Sequence, residues 1–153
     1  MNTVVCDSNF LEALFDPRDV WHSQAKEIEL ALAPTLPRLF LDVAMTEALG
    51  VIARRCQEQK RQALFPQILD KVLNFLPPAR LTWLFPLIRE YYEESIDLLR
   101  NYSGRLNMND CLIALFMKRN NRSYLLSFDT DFDEVPEIRR ITSPADASAI
   151  QIE

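Results

Sequence analysis

The stretch from Ser123 to Glu134, S-Y-L-L-S-F-D-T-D-F-D-E, constrains the fold of this chain more than any other. A short run rich in β-formers, Tyr124 to Phe128, is followed at once by Asp129, Asp131 and Asp133, so negative charge gathers where a buried strand would end. The same layout recurs near the start of the chain, where Thr3-Val4-Val5-Cys6 runs into Asp7-Ser8-Asn9. Open α/β sheets bind ligands outside the carboxyl ends of their strands. Two strands are therefore expected to deliver acids to one edge.

Between these ends, helical periodicity alternates with brief apolar runs. Val4 to Cys6 is apolar on both faces, as in a parallel sheet covered on both sides. Asn9 to Phe15 predicts a helix stopped by Asp16-Pro17, and Val20 to Leu32 a second, stopped by Ala33-Pro34 and Pro37. Leu39 to Leu41 reads as the next strand, with Asp42 placed to cap a helix from Val43 to about Gln59. Ala63 to Leu76 predicts a strongly apolar helix with Pro66 near its start and Pro77-Pro78 after its end. It carries more apolar surface than one helix of a small domain hides, so part of it is expected to meet a partner. Leu81 to Phe85 is a third strand, Leu87 to Tyr102 an amphipathic helix stopped near Gly104, and Asn107 the cap of another helix. Ile138 to Thr142 is the last strand before a frayed tail. The sum is an α/β fold with a central parallel sheet flanked by helices, one domain over residues 1–145 and a C-terminal tail at 146–153.

Composition removes several chemistries. Hydrophobic residues at 48% and charged residues at 25% are an ordinary globular balance, and 153 residues suffice for one core. Only two glycines occur, Gly50 and Gly104, so no glycine-rich loop can cradle a nucleotide phosphate. His22 is the single histidine and sits among polar neighbours near a helix start, where exposure is expected; catalytic triads and His-rich metal sites are thereby excluded. Cys6, Cys56 and Cys111 are odd in number, widely spaced and set in apolar surroundings, which predicts reduced core residues. The N-terminus has no basic leader and no run approaches the ~20 apolar residues of a membrane span, which predicts a cytoplasmic protein. A net charge of −5 gives nucleic acid no global attraction. Any RNA contact must be local, with Arg54-Arg55 plus Lys60-Arg61, Lys118-Arg119 plus Arg122, and Arg139-Arg140 as candidates, although runs this short are usually solvated faces.

Two more acids stand out by position. Residues three and four away from Glu47 are Val43, Ala44, Gly50 and Val51, all small or apolar, so Glu47 is expected on the core face of its helix. A carboxylate there must be protonated, paired with Arg or Lys, or bound to a metal. Asp110 falls in the first turn after Asn107, where a capping role is the simple reading. Yet Ile113, Ala114 and Met117 share its face, the same anomaly as at Glu47, and this favours a functional role. If Asp7 and Asp129 end adjacent strands while Glu47 and Asp110 approach from flanking helices, four carboxylates converge. Like charges this close raise one another's pKa, and a hard divalent cation such as Mg²⁺ or Mn²⁺ is the usual way to keep them ionised. The implied reaction is phosphodiester hydrolysis without a covalent intermediate.

The chain resembles the PIN domain family, the ribonuclease fold of VapC-type toxins. The segments that carry the resemblance are V-V-C-D-S-N-F-L, T-E-A-L-G-V-I, N-M-N-D-C-L-I-A-L, Y-L-L-S-F-D-T-D-F and V-P-E-I-R-R-I, in that order along nearly the whole sequence. No one of these is specific; their order and spacing together are. The resemblance implies a three-layer PIN-like fold, with the family's acids at Asp7, Glu47, Asp110 and Asp129 and an additional acid at Asp131. It places Ser8 or Asn9 at the small polar position that in similar proteins helps hold water beside the metal, and Asn107 where many relatives carry Ser or Thr. It also implies Mg²⁺- or Mn²⁺-dependent endonucleolytic cleavage of RNA, a homodimer, and inhibition by a cognate antitoxin. Two alternatives compete with it. One is a catalytically silent PIN-fold module that only binds RNA or protein. The other is a haloacid-dehalogenase-like phosphatase built on Asp129-Thr130-Asp131, for which the 24 residues after Asp129 are too few. An EF-hand fails because Glu134 stands where the loop needs Gly.

Overall fold

The computed structural model describes residues 3–32 and 36–150. Ala33 and Pro34, expected to stop the second helix, and the last three residues of the expected tail lie outside the described residues. Five short strands form one sheet, β1 (Val4–Cys6), β2 (Arg38–Leu41), β3 (Leu81–Thr82), β4 (Tyr124–Leu126) and β5 (Arg139–Ile141), in the order β3-β2-β1-β4-β5. Every pairing is parallel, and central Val5 lies opposite Leu39 on one side and Leu125 on the other. All three residues of β1 are fully buried, which is why they can be uniformly apolar. Flanking the sheet are α1 (Ser8–Phe15), α2 (His22–Ala31), α3 (Asp42–Glu58), α4 (Phe65–Phe75), α5 (Ile88–Asn101), α6 (Met108–Arg119) and α7 (Pro144–Ala149). Among the described residues no helix is long and apolar enough to cross a membrane. Cys6, Cys56 and Cys111 are buried free thiols, as the sequence predicts.

Several local expectations are corrected, each for a traceable reason. The third strand stops at Thr82 instead of continuing to Phe85, because the backbone N–H groups of Leu84 and Phe85 turn in to donate to the carboxylate of Asp42, at 2.7 and 2.9 Å. Asp42 is thus the first residue of α3, not its cap. It bonds its own helix at Val43 N–H and ties the start of α3 to the segment after β3. The second helix begins at His22, not Val20, since Asp19 takes the N–H of Trp21 (2.8 Å) and holds the chain in a turn. His22 is half-buried, not exposed, with its Nδ1 lying 2.7 Å from the carbonyl oxygen of Ala13. The strongly apolar segment divides: Ile68, Val72 and Leu76 enter the core, Leu64, Phe65, Leu69 and Phe75 are half-buried, and Leu73 stays exposed, so apolar surface for a partner remains. Where a frayed end is expected, Ser143 and Asp146 form a capping box that starts α7 (Asp146 accepts from Ser143 N–H at 2.9 Å), and Ala147 and Ile150 are buried.

Candidate active site

Parallel pairing sends β1, β2 and β4 off the sheet at the same edge, and that edge collects the acids. Asp7 follows β1 and its N–H donates to the carbonyl of Leu126, the last residue of β4, at 3.0 Å. The side chain of Ser127, the next residue, therefore stands beside that of Asp7. Its hydroxyl donates to Asp7 Oδ2 at 2.7 Å, while Asp7 Oδ1 accepts the N–H of Ser8 at 2.7 Å and caps α1. Asp7 is 1% exposed, Ser8 6%, and Ser127 not at all. Burial, with repulsion from Glu47 and Asp129, pushes the Asp7 carboxyl up to about 7 against the hydrogen bonds from Ser127 and Ser8.

Asp110 reaches the same edge from the first turn of α6. Its Oδ2 accepts the N–H of Asn107 at 2.8 Å, and Asn107 Oδ1 accepts the N–H of Asp110 at 3.0 Å, a complete capping box. The capping reading and the functional reading thus hold together. The cap fixes a carboxyl that is 5% exposed, and burial raises it to about 7, with Asp7, Glu47 and Asp129 adding repulsion. Glu47, on the second turn of α3, is half-buried rather than fully in the core. Its partners are not cations: Asn109 Nδ2 donates to Oε2 at 3.1 Å and Asn107 Nδ2 to Oε1 at 3.5 Å. Asp129 is half-buried at the head of a short 3-10 turn over 130–134, its Oδ1 accepting the N–H of Asp131 at 2.8 Å.

The structure separates the remaining acids of the 129–134 turn. Asp131 is half-buried beside Asp129, whereas Asp133 is exposed and clasped by Arg140, with both bonds at 2.7 Å, which lowers its pKa. Asn9 clamps the end of β4, accepting from Phe128 N–H at 2.9 Å and donating to Ser127 Oγ at 3.2 Å. Two residues escaped the sequence reading. Ser127 hides in an apolar run, although a hydroxyl next to a strand end is a usable signal. Asn109 stands one place before Asp110, with no pattern to mark it.

No Arg or Lys forms an ion pair with Asp7, Glu47, Asp110 or Asp129 among the described residues. Arg140 lies near enough to Asp129 to feel its charge, but its guanidinium is engaged by Asp133 and by the carbonyl of Ser127. The donor set is all oxygen and short of positive charge, and two of its members, Asp7 and Asp110, are driven toward protonation, which fits a hard divalent cation. Among the described residues no three acidic, cysteine or histidine side chains are arranged as a ready-made metal shell, so the acids are neighbours rather than a closed cage. The basic runs fare differently. Arg54 and Arg55 pair with Glu58, Glu12 and Asp19, Arg61 with Asp16, Arg119 with Glu90 and Glu94, and Arg140 with Asp133. A cavity of about 280 Å³ between α5, α6 and residues 135–138, and a larger one of about 650 Å³ between α1, α2 and α4, contain none of the four acids, so chemistry and not cavity size points to the candidate site.

Comparison with known proteins bears on the fold. The family model described as the PIN domain matches residues 4–138. No curated protein matches the chain. Among solved structures, VapC20 of Mycobacterium tuberculosis, a sarcin-ricin loop cleaving toxin, is 16% identical with a TM-score of 0.67, covering 86% of this chain and 94% of that one. A chain of VapBC2 from Rickettsia felis, solved bound to a DNA fragment from its promoter, is 18% identical with a TM-score of 0.60, covering 91% and 97%. At these identities the likeness is one of fold.

Proposed function

The chain belongs to the PIN domain family, and on that premise we propose that it is a metal-dependent endoribonuclease, the toxin of a toxin–antitoxin pair acting on RNA in the cytoplasm. The observation that carries the reading is the gathering of four carboxyls at one sheet edge with no cation among them, two raised to about 7. Asp7, Glu47, Asp110 and Asp129 would hold Mg²⁺ or Mn²⁺, with Asp131 as a further acid at the rim. Such an ion, when bound, activates water and offsets the charge that develops on a phosphodiester.

The chain's own residues supply orientation. Ser127 and Ser8 fix both oxygens of Asp7, the Asn107 cap fixes Asp110, and the amides of Asn107 and Asn109 fix Glu47. Preset side chains cost little reorganisation when substrate arrives. A protein nucleophile is disfavoured, since burial pushes the Cys6 thiol far above its ordinary value and His22 is occupied by the Ala13 carbonyl. The fold shared with a sarcin-ricin loop cleaving toxin supports RNA as the substrate, and the fold shared with a VapBC2 chain supports a cognate antitoxin; a homodimer is part of the same proposal.

A silent RNA- or protein-binding PIN domain is the second reading, favoured by the acids not being arranged as a closed shell. Incubation of the chain with structured RNA, with Mn²⁺ or with chelator, separates the two. Metal-dependent fragments are expected from the wild type, and a loss of at least about a hundredfold in Asp7→Asn and Asp129→Asn with the fold intact. Cleavage that survives both substitutions sinks the assignment of the site.

A further inference from the structure

We infer that Trp21 is a stacking platform for an unpaired base of the RNA, set at the rim of the acidic site; this rests on the ribonuclease reading above. The indole of Trp21 lies parallel to the ring of Phe128, with centroids 5.0 Å apart and planes 9° from coplanar. Phe128 in turn rests on fully buried Phe10 at 6.1 Å. The three rings form a ladder from the core to the surface, and the residue after Phe128 is Asp129. Trp21 is nevertheless 45% exposed, and neighbouring Val20 is 88% exposed. Stacked on Phe128, the residue still keeps surface for a further ring.

The platform is held in place. Asp19 Oδ1 accepts the N–H of Trp21 at 2.8 Å, and the other oxygen of Asp19 accepts from Arg55 at 2.6 Å, so the turn that carries the indole is pinned to α3. A fixed aromatic face loses little freedom when a base settles on it. The charge balance explains why a base and not a phosphate is the fitting occupant. The chain carries −5, the site itself is acidic, and Arg55, Arg61, Arg119 and Arg140 are committed to internal ion pairs. Stacking is the part of single-strand recognition that needs no positive charge, because every base has a π-face.

Trp21 and Trp83 are the only two tryptophans, which gives a direct test. The full chain carrying Trp83→Phe, with Asp7→Asn to keep RNA intact, is titrated with a single-stranded oligoadenylate while indole fluorescence is followed. Saturable quenching is expected, and a duplex of the same length should quench far less. In the same background Trp21→Leu should weaken oligoadenylate binding by about tenfold, and Trp21→Phe should restore most of it, with melting temperatures recorded to show that both variants fold. A Trp21→Leu protein that binds as tightly as its parent overturns the inference, and the indole then serves a protein contact or only shelters Phe128. If that result comes with metal-dependent cleavage by the wild type, the ribonuclease reading stands alone. If the wild type neither binds nor cleaves RNA, both fall together.

Discussion

Glu12, Asp16 and Asp19 face guanidinium groups, whereas Asp7, Glu47, Asp110 and Asp129 face amides, hydroxyls and one another. In the first group Arg55 bridges Glu12 (3.0 Å) and Asp19 (2.6 Å), and Arg61 grips Asp16 with two bonds of 3.0 and 3.1 Å. In the second, the hydrogen bonds are as well made but none brings positive charge. Burial raises Glu12 to about 7, as it does Asp7 and Asp110, but beside Glu12 Arg55 pulls the other way. Asp42 is a third solution, since three backbone N–H groups satisfy its carboxylate without any cation. Buried acids are therefore common in this molecule, and burial alone does not mark a site. What marks it is several carboxyls on one edge whose charge the fold leaves unbalanced.

The sharpest way to break this contrast is to change one member of each group. Arg61→Met should lower stability by about 3 kcal/mol, because the Asp16 carboxylate stays buried (1% exposed) without its partner. Asp7→Asn should instead melt higher than the wild type in chelator near pH 7.5, since it removes repulsion and keeps an oxygen for the Ser8 N–H, while its amide N–H donates to Ser127 Oγ in place of the bond Oδ2 accepted. Denaturant melts of the two variants check the opposite signs, and a loss of stability in Asp7→Asn would place Asp7 with the structural acids.

Metal should act on one group only. Binding to the folded state alone raises stability by about 2.7 kcal/mol at a hundredfold excess over Kd. Millimolar Mn²⁺ is expected to raise the melting temperature of the wild type and of Arg61→Met, and to leave Asp7→Asn unmoved. Equal shifts in all three proteins would mean that the ion binds elsewhere.

A smaller effect is the pH dependence of the metal-free protein. Asp7 and Asp110 ionise near 7 in the fold and near 3.8 as free groups, so the folded chain keeps protons that the unfolded chain has released. Stability is then highest at the acid end of that window and is lost as pH rises from about 4 to about 7. The slope is about 1.4 kcal/mol per pH unit for each such acid. Melts in chelator across this range measure it, and Asp7→Asn should flatten the curve. A slope of the opposite sign would show that these carboxyls are stabilised in their charged form.

Much of the fold was legible because the strands are buried on both faces. Val4 to Cys6 and Leu125-Leu126 have no polar side to show, and their ends are punctuated by Asp7 and by Ser127 to Asp129. Asn107 with Asp110 and Asp16-Pro17 announce helix boundaries through local hydrogen bonding and proline geometry, which sequence spacing records directly. The turn after β3 was not legible, because it depends on Asp42, some forty residues earlier in the chain. The capping box of α7 was in principle readable from Ser143 and Asp146 with Pro144 between them, although the segment was expected to be a frayed tail.

By itself the sequence determined which residues are acidic, which strands must be buried, and that each acid at a strand end follows an apolar run. Those are properties of adjacent residues, and adjacency is what a sequence contains. Only the tertiary structure decided which acids are balanced. Asp133 and Asp129 lie four residues apart, yet Arg140 folds back onto Asp133 and bonds it, while Asp129 lies close enough to Asp7 and Asp110 to repel their charge. Glu47, which the sequence leaves protonated, paired with Arg or Lys, or bound to a metal, is met by two asparagines, and Trp21 found Phe128 across more than a hundred residues. Pairing of charges and rings acts through space over a few ångströms, and the parallel crossovers that bring distant segments to one edge leave no mark in local spacing.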